Sequence, residues 1–287
     1  MQAVNSMEKI YISFWSGGQK HIRYNMENDL FFLENFIRLF SRYNPSLKLI
    51  LICDEYTTQN LPQEIKEQVE IQQTSDKYNE YPPQLWPMVK VLTIADIDDE
   101  EVLHLDFDII WKYDIRNLLN YIRQHKIDAL YQSYESLGIS HRYYPDYLKK
   151  NSGAMNLLLK AKTKTAYNAG ICYFSKGAKS KLKAIVEQYR SDITTFGDNV
   201  SLEQMIIPNE LIQQGFNVKT LSEIVINLPF RENNRKFPEA IGEFDKALFN
   251  ILNSTGTFIN SISYFHFLGT VKKKEGLKEA ILYLSAD

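Results

Sequence analysis

Long hydrophobic runs are missing from this sequence. None approaches the ~20 apolar residues that a membrane-spanning helix needs, so no membrane anchor is expected. The opening stretch, Met1 to Lys9, is polar and lacks the apolar centre of a secretory signal, which points to a cytoplasmic location. Cysteine is scarce. The two present, Cys53 and Cys172, both lie in apolar runs that read as strands, which argues for buried reduced thiols rather than a disulfide or a metal pair. An excess of charge of one sign is missing too: 33 Lys and Arg against 35 Asp and Glu leave a net charge of −2. That balance gives no general pull toward nucleic acid or an anionic membrane, and no nucleic-acid partner is expected. The Gly-rich, basic phosphate loop of many nucleotide-binding proteins has only a faint echo, Ser16-Gly17-Gly18-Gln19-Lys20. No repeat, low-complexity tract or linker marks a boundary, so residues 1–287 are expected to form one domain.

What is present is an alternation of strands and helices. Ile10–Trp15 is a short apolar run ending in a turn at Ser16-Gly17-Gly18. Leu33, Phe36, Ile37 and Phe40 fall on one helical face, predicting a helix over about Asn28–Tyr43 that Pro45 stops. Leu47–Cys53 and Val102–Leu105 read as continuous apolar strands, with a helix through Met88, Val91, Leu92 and Ala95 between them. A helix near Ile115–His125 and a strand at Asp128–Ser133 follow. Beyond a Tyr-, Lys- and Asn-rich stretch without period, Tyr134–Lys164, a strand is expected at Tyr167–Phe174. Helices are expected at Ala178–Ser191, Leu202–Gln214 and Gly276–Leu284. Strands that are apolar throughout and separated by helices imply a mainly parallel sheet covered on both faces. Such sheets bind ligands beyond the carboxyl ends of their strands, so functional groups should sit just after strands.

One segment stands out against that expectation. In Val102-Leu103-His104-Leu105-Asp106-Phe107-Asp108-Ile109-Ile110-Trp111, two carboxylates follow a buried strand inside an apolar run. Carboxylates beside a core need a cation or a hydrogen-bond network. A divalent metal bridging to phosphates is one such partner; a helix cap plus a lysine pair is the other. The earlier pair, Asp96-Ile97-Asp98, lies in an acidic turn and reads as solvated surface.

From Trp86 to Lys272 the sequence resembles, in scattered but collinear motifs, the GT-A glycosyltransferases, and most of all glycosyltransferase family 8 and related nucleotide-diphospho-sugar transferases. Asp106-Phe107-Asp108 is similar to the DxD motif that holds a manganese ion against the donor diphosphate. Lys90 stands where the family has a basic residue that contacts the donor. Asn168-Ala169-Gly170 resembles the strand lining the donor sugar, and Glu203-Gln204 the acidic-Gln pair near the reacting carbon. His266, Gly269 and Lys272 repeat the family's His-x-x-Gly-x-x-Lys, in which the His completes the metal site and the Gly and Lys meet the diphosphate. Elementary chemistry agrees with each assignment. Manganese accepts carboxylate and imidazole together, magnesium takes oxygen ligands, a glycine lets backbone approach phosphate, and a lysine neutralises a departing diphosphate. Taken singly, His266 reads as an ordinary core or surface histidine, Asn168 as a satisfied strand polar group and Gln204 as a helix-surface amide.

The resemblance implies an α/β GT-A fold with a mixed, mainly parallel sheet flanked by helices. It implies a C-terminal segment, 257–287, folding back over the donor site; within it Leu268–Glu275, with one glycine and three consecutive lysines, is expected to close as a lid on bound donor. It implies hexosyl transfer from a nucleotide-sugar, a UDP-sugar, to a glycan or other hydroxyl acceptor, with retention, using Mn2+ or Mg2+ held by Asp106, Asp108 and His266. The acceptor is expected beside Tyr134–Lys164. The sequence departs from the family after its first strand. Trp15-Ser16-Gly17-Gly18-Gln19 replaces the residues that hold base and ribose, which leaves the base open and makes Asp54, after the second strand, a candidate for that contact. Lys90 replaces Arg, and Glu203 replaces Asp. A nucleotidyltransferase, or a non-catalytic nucleotide- or carbohydrate-binding protein on the same scaffold, remains an alternative reading.

Overall fold

A computed structural model describes residues 9–15, 26–74, 78, 81, 85–111, 114–135, 165–196, 201–224 and 264–266. Its elements in chain order begin with β1 (Lys9–Phe14), α1 (Met26–Tyr43), β2 (Lys48–Cys53), α2 (Glu55–Asn60), α3 (Gln63–Lys66) and β3 (Glu70–Gln73). Then come α4 (Trp86–Asp96), β4 (Val102–Leu105), β5 (Ile109–Trp111), α5 (Ile115–Gln124), β6 (Ala129–Glu135), β7 (Ala166–Phe174) and α6 (Lys176–Phe196). A π-helical turn (Leu202–Ile206) leads into α7 (Ile207–Gln213), β8 (Val218–Thr220) and α8 (Leu221–Ile224), and β9 (Tyr264–His266) is the last element described.

Seven strands form one sheet in the order β3-β2-β1-β4-β7-β6-β8. β3, β2, β1 and β4 run parallel, β7 lies antiparallel between β4 and β6, and β8 runs parallel to β6. The expected mixed, mainly parallel sheet flanked by helices is the one observed. Period-2 alternation splits the strand residues between two cores. Ile10, Ile12 and Phe14 face Leu33, Phe36, Ile37 and Phe40 of α1 and the apolar side of α5. Tyr11, Ile50 and Ile52 face α4, α6 and the π-turn. α4 is buried along Pro87 to Ile94, so Lys90 is a cation inside a helix with no solvent face over that stretch.

The structure differs from the sequence reading where apolar pattern is weak. The edge strand β3 is Glu-Ile-Gln-Gln, and the short helices α2 and α3 carry few apolar residues; none has a period to read. The strand before Asp106 is therefore the fourth of the chain. Asp96 is not solvated surface: as the last residue of α4 it accepts from the Tyr78 hydroxyl and pairs with Lys183 of α6. Of that pair only Asp98 is exposed. The helix expected over Leu202–Gln214 is two elements, because Pro208 has no N–H to give to the carbonyl of residue 204. The ladder widens there, with Ile207 N–H reaching back to Leu202 O. The expected lid at 268–275, the expected helix Gly276–Leu284 and all but the start of Tyr134–Lys164 lie outside the described residues. Among the described residues no helix is long and apolar enough to cross a membrane.

Asn44 joins two elements of the α1 face. Its amide donates to Phe40 O at 3.2 Å, its Oδ1 accepts from the first amide of α5, Ile115, at 2.9 Å, and it is 1 % exposed. Asn44→Ala leaves that amide without its acceptor and is expected to cost about 1–3 kcal/mol. Urea denaturation should show a lower midpoint at unchanged slope; an unchanged midpoint would remove Asn44 from the determinants of the fold.

Candidate active site

A cavity of about 170 Å³ opens across the carboxyl ends of the parallel strands. Each strand contributes to its wall. Thr74 follows β3, Ile52 lies on β2, Ser13 and Trp15 on and after β1, and Asp106-Phe107-Asp108 follow β4. α1 adds Asp29, and α4 closes the other side with Trp86, Val89, Lys90 and Thr93. Asp106 and Asp108 sit on the turn joining β4 to β5, closed by the bond from Ile109 N to Asp106 O at 3.2 Å. Phe107 between them is pinned edge-to-face on Phe14, 4.9 Å between ring centres.

β7 delivers the Asn-Ala-Gly motif through an irregularity. Between the pairs Tyr131↔Cys172 and Ser133↔Asn168, β6 advances two residues and β7 four. The extra residues interrupt the β6–β7 ladder at Ala169–Ile171, while Ile171 keeps its pairing with Leu105 of β4. Asn168 steadies the bulge, its Oδ1 accepting from Gly170 N at 2.9 Å. Gly170 O accepts from Asp106 N at 2.8 Å, and Ala169 O accepts from the Lys90 ammonium at 3.0 Å.

Lys90 is the hub. Its ammonium lies 2.7 Å from Asp106 Oδ1 and 2.6 Å from Glu203 Oε1, besides the Ala169 carbonyl. An ammonium has three hydrogens, and three protein oxygens surround this one. Burial alone would pull Lys90 toward neutrality, but Asp106 and Glu203 outweigh it and hold the group charged, above the ordinary lysine range. The expected direct contact between Lys90 and a donor therefore meets a head group already engaged; what Lys90 does in this geometry is position Asp106 and Glu203.

The remaining expectations fall out unevenly. Glu203 is buried and Gln204 half-buried, both on the π-turn, a form of helix that recurs at functional sites. Asp54 is 2 % exposed, and its Oδ1 accepts from Thr57 N at 2.7 Å as the cap of α2. It stands apart from the cavity wall, so its placement differs from a base or ribose contact; a carboxylate after a strand serves a following helix equally well. β9 pairs antiparallel with β5, setting His266 opposite Ile109, the residue after Asp108. Gly269 and Lys272 lie outside the described residues. Among the described residues no group of three or more His, Cys, Asp or Glu is gathered as a metal cluster.

The sequence reading missed a histidine. His104, on β4 and fully buried, has Nε2 2.9 Å from Ser13 Oγ and Nδ1 3.9 Å from Asp106 Oδ1. Burial, aided by the nearby Lys90 charge, pushes its pKa well below the usual value, so the ring is neutral. The available signal was a lone polar residue inside the apolar run Val102–Leu105. Asp29, Trp86 and Thr93 carried none, because their place depends on how α1 and α4 dock.

Removing the hub should be felt in stability first. Lys90→Met leaves the buried Glu203 and the half-buried Asp106 without their cation, an expected loss of about 3 kcal/mol in chemical denaturation. A Lys90→Met protein as stable as the wild type would show that neither carboxylate depends on Lys90.

By sequence, no family model and no curated protein matches the chain. Solved structures do match it. The glycosyltransferase GlyE of Streptococcus pneumoniae TIGR4 superposes at a TM-score of 0.53 and 11% identity, covering 99% of this chain and 61% of GlyE. The chain thus spans less than two thirds of GlyE's length. The galactosyltransferase LgtC, solved in complex with donor and acceptor sugar analogs, superposes at 0.51 and 11% identity, covering 97% of this chain and 95% of LgtC. With its mixed seven-stranded sheet and flanking helices, the chain has the fold of the GT-A glycosyltransferases.

Proposed function

We propose that this chain is a metal-dependent glycosyltransferase. It moves a hexosyl group from a nucleotide-sugar, a UDP-sugar, to the hydroxyl of a glycan or similar acceptor, with retention. The observation that carries the reading is the meeting of Asp106 and Asp108 with the Lys90–Glu203 pair at one end of a cavity across the strand ends. That end is acidic on balance, since Asp106, Asp108 and Glu203 outnumber Lys90. A diphosphate is repelled there unless a cation accompanies it, and two carboxylates are the hard oxygen donors that Mn2+ or Mg2+ takes.

Asp106 and Asp108, with His266 brought beside them by the β5–β9 pairing, would hold that ion. Bound there, it would neutralise charge developing on the leaving diphosphate. The chain's own residues do the rest. Lys90 keeps one oxygen of Asp106 occupied, which fixes how the carboxylate presents itself to the donor. Asn168, Ala169 and Gly170 form the wall for the donor sugar. Glu203, tied to Lys90, sets the π-turn on which Gln204 hydrogen-bonds the sugar at its reacting face. Gln204 is a poor nucleophile and acts by positioning. Gly269 and Lys272 would meet the diphosphate from the C-terminal side.

Release of nucleotide is the test. With manganese and a panel of nucleotide-sugars, the protein should liberate free UDP from a UDP-hexose, faster with acceptor present, and the reaction should stop on chelation. Gln204→Ala should lower turnover more than donor affinity. Turnover unaffected by chelator would overturn the metal dependence. Pyrophosphate released from a nucleoside triphosphate would overturn the transferase reading for a nucleotidyltransferase. Binding without turnover of any donor would leave a non-catalytic binding protein.

A further inference from the structure

We propose that a groove between α4 and α6 is a second carbohydrate site, holding a neutral glycan apart from the strand-end cavity. Its volume is about 520 Å³, within the range of roughly 300–1,000 Å³ in which small-molecule sites fall. Leu92 of α4 and the rings of Tyr78 and Tyr81 give it apolar surface. Lys183, Glu187 and Arg190 give it polar groups. These three stand at i, i+4 and i+7 of α6 and so share one face of that helix. The groove and the strand-end cavity have no lining residue in common. On α4 the cavity takes Val89, Lys90 and Thr93, and the groove takes Leu92 from a different face of the helix.

Charge in the groove cancels in pairs. Lys183 pairs with Asp96, which also accepts from the Tyr78 hydroxyl, and Arg190 Nη2 meets Glu187 Oε2 at 2.9 Å. No sign is left over to draw in a phosphorylated or a cationic ligand. Hydrogen-bonding capacity is left over. A guanidinium has five N–H groups and a carboxylate several lone pairs, and among the described residues the side chains of Arg190 and Glu187 bond only to each other. Donors and acceptors side by side suit the neighbouring hydroxyls of a sugar, each of which both gives and accepts. Arg190 is also held in place, with its guanidinium over the Tyr81 ring at 5.9 Å from the centroid. A side chain oriented beforehand loses less freedom when a ligand arrives. The tyrosine rings and Leu92 supply the apolar surface on which the C–H face of a sugar ring packs.

The experiment screens the full chain against an array of neutral and acidic oligosaccharides in chelator, so that neither metal nor nucleotide takes part. At least one neutral oligosaccharide should bind. Calorimetry with it should give the same affinity for Asp108→Ala as for the wild type. Arg190→Ala and Glu187→Ala should each weaken it about tenfold, the worth of one charge-assisted hydrogen bond, and Tyr81→Ala should weaken it too. Glu187 is exposed on α6, so its variant tests the site even where Tyr81→Ala disturbs the fold. Binding of acidic oligosaccharides alone, or of none, overturns the inference. So does binding that survives both Arg190→Ala and Glu187→Ala, or that Asp108→Ala abolishes. The transferase reading stands or falls separately. UDP release without glycan binding in chelator removes this site and leaves the transferase, and glycan binding without turnover of any donor does the reverse.

Discussion

A lysine buried in the middle of an apolar helix is the constraint on which the site depends. Lys90 is 3 % exposed, and an ammonium so far from water is tolerable only where oxygens replace its hydration. The oxygens come from elements distant in sequence: the turn after β4, the bulge in β7 and the π-turn before α7. Folding must bring all of them to one point, because removing any leaves a buried charge or an unmet carbonyl. Buried ion groups of this kind add little net stability over an apolar core; what they confer is a defined arrangement, here of the residues that face the cavity.

The backbone departs from regular geometry where those residues sit. β7 carries extra residues opposite β6 at Ala169–Ile171, the helix before Pro208 widens to a π-turn at Leu202–Ile206, and β5 leaves the main sheet to pair with β9. At the bulge the Ala169 carbonyl is free to meet Lys90, and the Gly170 carbonyl extends the β4–β7 pairing to Asp106 N; the π-turn carries Glu203 to Lys90. The regular elements and the turn after β4 line the cavity, and the irregular parts supply the oxygens that hold Lys90 and the Asp106 backbone at its wall.

That division explains what could be read from sequence. The buried strands β1, β2 and β4 and the helix α1 declare themselves through apolar runs and 3.6-residue spacing, because burial of apolar area is what forms them. Asp106 and Asp108 were legible for the same reason, as carboxylates where such a run ought to continue. Asn168 and Glu203 were legible only through their resemblance to known motifs; their partners, Gly170 N and Lys90, follow from a bulge and a π-turn that leave no periodic signal. The cap that Asp54 makes on α2 was not legible, because a helix cap and a ligand contact ask for the same side chain after a strand. Lys90 was legible as a basic residue of the site, but the Asp106, Glu203 and Ala169 oxygens gathered round its ammonium were not. Ser13 and His104, on different strands, become a pair only through the β1–β4 register.

The central claim is that Lys90 holds Asp106 and Glu203 in place for a metal-bound nucleotide at the strand ends. Anomalous diffraction from crystals grown with manganese and UDP tests it directly. The account predicts a single strong manganese peak bound by Asp106 and Asp108, with the Lys90 ammonium still between Asp106 and Glu203. Nucleotide bound with no manganese at those aspartates, or with Lys90 swung away from Glu203 onto the phosphates, would contradict it.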